Sequence, residues 1–283
     1  MIEFIRDATQ QRFLQHALLT GVLASIACGV IGSYVVTRRI TYMAGAIAHS
    51  VLGGMGAARY LQVVHGWTWA TPFMGAVLAA LISALIIGMV SLKARQREDT
   101  VIGAVWAVGM AVGIMFIFRT PGYNEDLMSY LFGNILMVSS DELWMIAALD
   151  AVVVGISLVF YNQLLAVCFD EEFARLRGIR VEFFHLLLLC LTALTVVLLV
   201  TVVGIVLVIA LLTLPAAAAG HFTRKLSSMM MFAMVFTLLL TTGGLSLSYS
   251  PDLPPGATII IVSGAFYLFV IAFLALFRKW RQV

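Results

Sequence analysis

The chain has 283 residues, of which 62% are hydrophobic and 11% charged, with 17 Lys and Arg against 14 Asp and Glu. A soluble domain carries about 25% charged residues, and a mean hydropathy of +1.05 exceeds what one soluble core can hide. A soluble enzyme, a disordered chain and a secreted disulfide scaffold are excluded, which leaves a polytopic membrane protein.

The net charge of +3 points to no nucleic-acid partner, because in a membrane protein the placement of Lys and Arg carries the information. Cys28, Cys168 and Cys190 are far apart, show no metal-finger or redox spacing, and read as structural.

In chain order, residues 1–12 have mixed charge and no small-residue cleavage site, and Arg38-Arg39 directly follows the first apolar run. A retained first span fits this better than a cleaved signal peptide. Runs long enough for about 30 Å of hydrocarbon cover 13–36, 41–62, 71–91, 101–119, 143–163, 184–202, 203–219, 228–248 and 257–277. The expected fold is all-α, with about nine transmembrane helices in a range of eight to ten. A further run, 127–138, is only about 12 residues long and reads as re-entrant or interfacial.

Orientation follows from the loops. With the connection 164–183 taken as cytoplasmic, one side holds Arg38, Arg39, Lys93, Arg95, Arg97, Arg175, Arg177, Arg180, Arg224, Lys225, Arg278, Lys279 and Arg281. That is thirteen of the 17, against four on the other side: Arg6, Arg12, Arg59 and Arg119. The positive-inside rule then puts the N-terminus outside and the C-terminus in the cytoplasm. No polar stretch is long enough for a soluble domain, so residues 1–283 form one transmembrane domain.

The second run is rich in small residues. Ala46, Ser50, Gly54 and Ala58 form one helical stripe, and Gly45, His49, Gly53 and Ala57 the next. Small residues let helices approach closely in lipid, so this helix is expected inside the bundle. His49 lies roughly 12 Å into it at 1.5 Å per residue. A neutral imidazole there can bind and release a borderline divalent ion, or it can simply pack and donate to a carbonyl. Asp150, in the fifth run, is a second candidate, since a carboxylate in lipid is costly; the other reading is a packing group near the outer end. His65 stands beside Trp67 and Trp69, which read as an interfacial belt. Glu125, Asp126, Asp141 and Glu142 flank the short run, where they either draw a cation to an outer mouth or belong to a solvated loop.

Nucleotide-binding, zinc-protease and serine-hydrolase motifs are absent: no G-x-x-x-x-G-K-[ST], H-E-x-x-H or G-x-S-x-G occurs. Within the apolar runs the ionisable residues reduce to His16, His49, Arg59, Asp150 and His185. A transporter or channel is expected, without catalysis on this chain.

The connection 168–182 carries a short helix with both ends marked. Asp170 is an N-cap residue, and Glu171 and Glu172 favour the first turn. Arg175 and Arg177 favour the last turn, and Gly178 suits the left-handed position beyond it. Phe173 and Leu176 share one face. This is either a capped connector or a docking helix whose apolar face enters a partner's groove.

Four stretches together resemble the permease subunit of binding-protein-dependent ABC importers for zinc, manganese or iron. They are Gly32 to Arg39 running into Ala46 to Gly54; Leu131-Phe132-Gly133-Asn134-Ile135-Leu136; Phe169 to Ala174 with Gly178; and Leu214 to Ala219 joined to Ser246 and Asp252-Leu253-Pro254-Pro255-Gly256. The resemblance implies the fold of the vitamin B12 and metal importers, in a bacterial plasma membrane. It implies a homodimer or a pair of related permeases, a cytoplasmic ABC ATPase that hydrolyses the ATP, and an extracytoplasmic metal-binding protein. The ion would be cargo, with no permanently bound cofactor. The D-x-x-x-A-x-x-x-G pattern at Asp170, Ala174 and Gly178 is similar to the family's coupling helix, which makes Asp170, Glu171, Phe173, Ala174, Leu176 and Gly178 the expected ATPase-coupling residues. His49 is the expected pathway ligand, with Asp150 behind it. One departure stands out: the family's Asp four residues before this His is Gly45 here. Two other readings compete: an importer permease for a chelated metal or cobalamin-like solute, and a secondary transporter that needs no ATPase.

Overall fold

A computed structural model describes residues 2–93, 97–122, 133 and 135–280. These form twelve α-helices and no strand. In order they are α1 (Ile2–Gln10), α2 (Arg12–Arg38), α3 (Thr41–Val64), α4 (Pro72–Lys93), α5 (Glu98–Arg119), α6 (Ser140–Val159), α7 (Tyr161–Phe169), α8 (Glu171–Leu176), α9 (Val181–Val203), α10 (Ile205–Phe222), α11 (Leu226–Tyr249) and α12 (Pro255–Trp280).

Eight of these, α2, α4, α5, α6 and α9 to α12, are long and apolar enough to cross a membrane. α3 is the ninth long helix, with 24 residues, or roughly 36 Å. It lies between α4 and α5 and also touches α9. Its flanks meet protein rather than lipid, so it can be built from small residues instead of an apolar coat. Within the long helices, hydroxyls bond back to carbonyls one turn earlier, as Ser33 does to Gly29 at 2.6 Å and Thr192 to Leu188 at 2.8 Å. That satisfies polar groups where water is absent.

The glycines of α3 set its packing. A Cβ on Gly53 would stand 2.8 Å from the Gly109 carbonyl oxygen, and one on Gly56 2.8 Å from that of Gly113, both on α5. On its other face, Gly54 meets the backbone of Gly75 and the Ala79 methyl of α4. A second close contact joins Gly32 of α2 to the backbone of Leu212 and to Ala216 of α10.

Two elements depart from the sequence expectation. The run 143–163 is not one span: α6 ends at Val159, and the chain turns at Phe160 into the separate helix α7. No Gly or Pro marks this break; Phe160 is instead held edge-on against Phe184 of α9, 5.6 Å between ring centroids. Residues 2–10, of mixed charge and outside the nine apolar runs, form α1, whose Phe4 is buried 5.6 Å from the Tyr249 ring and whose Asp7 accepts a 2.8 Å hydrogen bond from the Tyr249 hydroxyl. The short run 127–138 falls mostly outside the described residues. Its described part is Gly133, fitted against the backbone of Val203 and Gly204 between α9 and α10, and a 3-10 turn at Ile135–Met137.

Candidate ion path and coupling interface

His49 sits eight residues into α3 and is 9% exposed. Its imidazole stacks on the indole of Trp106 from α5, with ring centroids 4.3 Å apart and planes 17° apart. Its Nδ1 is buried with no hydrogen-bond partner, so the carbonyl partner of the packing reading is not made through that nitrogen. The same indole borders Gly45: a Cβ there would stand 3.4 Å from the Trp106 ring, an ordinary contact. Tyr42 is exposed while Met43 is buried, so of these two neighbours only Met43 turns into the bundle.

Asp150 is the eleventh of the twenty residues of α6, halfway along the helix rather than near its outer end. It is 4% exposed, and its Oδ1 has no partner. α6 packs on α2 and α9, whereas α3 packs on α4, α5 and α9. Among the described residues no three of His, Cys, Asp and Glu come together as a metal-binding group. Glu142 is engaged in a capping box at the start of α6: its carboxylate accepts from the Ser139 N–H at 2.8 Å, and its own N–H donates to the Ser139 hydroxyl. Asp141 lies in the first turn beside it, while Glu125 and Asp126 lie outside the described residues.

The short helix α8 forms as its residues dictate. The Asp170 carboxylate accepts from the Phe173 N–H at 3.0 Å. At the other end Arg177 is the C-cap, not part of the last turn. Gly178 adopts φ +76°, a left-handed conformation open to glycine at little cost. The Gly178 N–H bonds to the Arg175 carbonyl at 2.9 Å, and the Ile179 N–H to the Ala174 carbonyl at 3.0 Å. Together these make a Schellman motif. Ala174 is fully buried in a cluster with Val167 and Val181, with Ile179 packed on them. The pattern Asp170, Ala174, Gly178 is therefore a cap, a buried foot and a turn.

The outer surface of α8 carries two apolar side chains beside the exposed Glu172 and Arg175. Leu176 is 87% and Phe173 49% exposed. Phe173 also borders a groove of about 570 Å³ with Tyr161, Leu165, Phe169 and Leu226, rimmed by Arg224 and Lys225. The Arg177 guanidinium lies 5.0 Å over the Phe173 ring. Glu171, by contrast, turns inward to an ion pair with Arg38 at the end of α2, and Arg38 also donates to the Val167 carbonyl at 3.1 Å. Arg175 pairs with Glu182 at 2.9 Å. Burial pushes the Cys168 thiol up to about 12, against the opposing effect of Arg38, which keeps it a neutral and unreactive packing group. Neither the Arg38–Glu171 pair nor the Trp106 stack follows from sequence spacing, because both join residues far apart in the chain.

The described residues thus form a bundle of long apolar helices with a short capped helix held against one end. The ABC 3 transport family matches residues 10–274, and the chain belongs to that family. It is 42% identical over 273 residues to an uncharacterized membrane protein of Synechocystis sp., covering 96% of this chain and 95% of the relative. It is 37% identical over 286 residues to the manganese transport system membrane protein MntC of Listeria monocytogenes, covering 99% of both. Among solved structures it is similar to a chain of PsaBC from Streptococcus pneumoniae, determined in complex with Fab, with a TM-score of 0.84, 32% identity and 95% of each chain covered.

Proposed function

We propose that this chain carries manganese, in preference to zinc or iron, inward across a bacterial plasma membrane, with the ion passing His49. It is the permease subunit of a divalent-metal ABC importer, and the family match across residues 10–274 carries that reading. Manganese is favoured because the Listeria relative is a manganese transport protein. A separate cytoplasmic ATPase docks on Phe173 and Leu176 of α8, and an extracytoplasmic binding protein delivers the ion at the opposite end. Two copies pair, which brings two His49 side chains toward one path and offsets the loss of a carboxylate at Gly45.

The orientation has the N-terminus outside and the C-terminus in the cytoplasm. Arg38, Arg39, Arg175, Arg224 and Lys225 border cavities at the α8 end of the bundle, where the positive-inside rule wants them. The half-exposed Leu253 follows α11 at the other end. A cysteine at Leu253 is expected to react with an impermeant thiol reagent in intact spheroplasts; reaction only after permeabilisation reverses the orientation.

The deciding experiment is uptake by the transporter reconstituted with its ATPase and binding protein, across a panel of divalent ions. ATP-dependent Mn2+ uptake exceeding that of Zn2+ and Fe2+ is expected. Uptake that needs no ATP overturns the importer reading in favour of a secondary transporter. Uptake of a chelate but of no free ion supports the chelated-metal alternative.

A further inference from the structure

The apolar groove beside Phe173 continues past α8. Its first part, of about 570 Å³, has walls from Leu165 and Phe169 of α7, Phe173 of α8 and Leu226 of α11. A second part, of about 350 Å³, is bordered by Val36, Arg39, Gly220 and Met229. Phe169, Arg224, Lys225 and Leu226 line both parts, so the two form one continuous groove. Each part is of the size that encloses a small ligand, about 300–1,000 Å³. Phe169, shared by the two, is 66% exposed.

The charge of this groove is one-sided. Arg39, Arg224 and Lys225 are exposed at its rim, and none of the three joins an ion pair among the described residues. They differ in this from Arg38 and Arg175 nearby, which Glu171 and Glu182 hold. Asp170 is the one acidic residue in the lining, and its Oδ1 already accepts the Phe173 N–H at 3.0 Å. α11 opens at Leu226 with no side chain capping it, so the positive end of its dipole adds to the same field.

Apolar walls under an unpaired cationic rim fit an amphiphile with an anionic head. Val36 lies in the last turn of α2, Gly220 in the last turn of α10, and Leu226 starts α11. Three spanning helices therefore end at this level, which puts the rim at the depth of the phospholipid headgroups. On the cytoplasmic side that layer is anionic, and basic pockets between spanning helices there take lipid headgroups.

We propose that the groove holds an anionic phospholipid, its phosphate among Arg39, Arg224 and Lys225 and its acyl chains against Leu165, Phe169 and Leu226. Asp170 and Phe173 put α8 in the wall, so the bound lipid joins the spanning helices to the coupling helix. The inference rests on the cytoplasmic placement of α8 given above. A purified complex binds lipid whichever way it lies in a membrane, so the lipid titration and the Leu253 labelling fail independently.

The test is titration of the purified permease–ATPase complex in detergent with phosphatidylglycerol, phosphatidylcholine or inorganic phosphate, with bound ligand read by native mass spectrometry. Wild type is expected to retain phosphatidylglycerol saturably and in preference to phosphatidylcholine. Arg224→Gln with Lys225→Gln should weaken that retention by about tenfold or more, as for two cations at a membrane surface. Lys93→Gln with Arg180→Gln removes two exposed cations from the same end but outside the groove, and should bind as wild type. Phe169→Ala, a change at an exposed ring, should also lower retention, because it removes a wall. Equal retention of the two lipids overturns the site. Equal losses in the two paired variants reduce it to general surface charge. Displacement of phosphatidylglycerol by inorganic phosphate, with unchanged binding in Phe169→Ala, makes it a free-anion site and overturns the lipid. A complex that retains no phosphatidylglycerol gives the groove to the ATPase.

Discussion

The connection around α8 and the middle of α3 contrast in how they are made. At α8 most contacts are local, the Glu171–Arg38 ion pair excepted. Asp170 caps the residue three positions on, Gly178 closes the turn, and Arg177 covers Phe173 four residues back. At His49 almost none is. The imidazole meets Trp106, Gly53 meets Gly109, and Gly54 meets Gly75. A segment made by neighbours in sequence can move as a unit and couple to a partner. A segment held by neighbours in space can position one side chain in the bundle interior, but it moves only with α4 and α5.

The contrast predicts unequal responses to substitution. The largest effect is expected for Gly54→Leu, which drives a side chain into the backbone of Gly75, where no flexible group can yield. Overpacking against side chains costs about 1–3 kcal/mol; against backbone the α3–α4 contact cannot close, and the protein should fail to accumulate in membranes, as an immunoblot reads. A stable, monodisperse Gly54→Leu protein would show that α3 is not locked by its small residues.

His49→Ala should abolish metal uptake while expression and basal ATP hydrolysis persist, because the stack on Trp106 is lost without a backbone clash. Wild-type uptake in this variant would reduce His49 to a packing residue. Phe173→Asp comes next. It puts a carboxylate on the docking face, which should cut co-purification of the ATPase and uptake about tenfold, with normal membrane insertion; this corresponds to about 1.4 kcal/mol. The effect is limited because Arg177 already lies over that position and would pair with the new charge. Normal co-purification and uptake would remove α8 from the interface.

The smallest effect belongs to Asp170→Ala. Loss of an N-cap costs about 1 kcal/mol, here confined to a helix of six residues. Partial loss of coupling is expected, visible as ATP hydrolysis that responds less to Mn2+, with Asp170→Asn retaining most of it. An Asp170→Ala protein as inactive as Phe173→Asp would mean that the carboxylate touches the partner rather than capping the helix.

Much of the molecule is legible in the amino-acid sequence. The long apolar runs mark nearly all the spanning helices, because a lipid-crossing helix must satisfy every backbone group within itself and coat itself with apolar residues. The caps of α8 are equally legible, since Asp170 and Gly178 act within a few residues of themselves. The stripe of small residues on α3 signals close packing but not its partners. The break at Phe160 leaves no local mark, since no Gly or Pro stands there and its ring lies edge-on to Phe184 of α9. α1 is hard to see because a nine-residue amphipathic helix carries too few apolar residues to stand out beside the spans.

By itself the sequence determined the membrane-spanning class, the run of helices, the capped connection and the family resemblance, since each rests on periodicity, composition or neighbours in the chain. Only the tertiary structure decided that Trp106 stacks on His49 and lies against Gly45, that Glu171 turns inward to Arg38, and that Phe169 of α7 and Leu226 of α11 wall one groove. The physical reason is common to all three: each joins side chains from different helices, and helix rotation and depth are set by which glycines and alanines let two backbones meet.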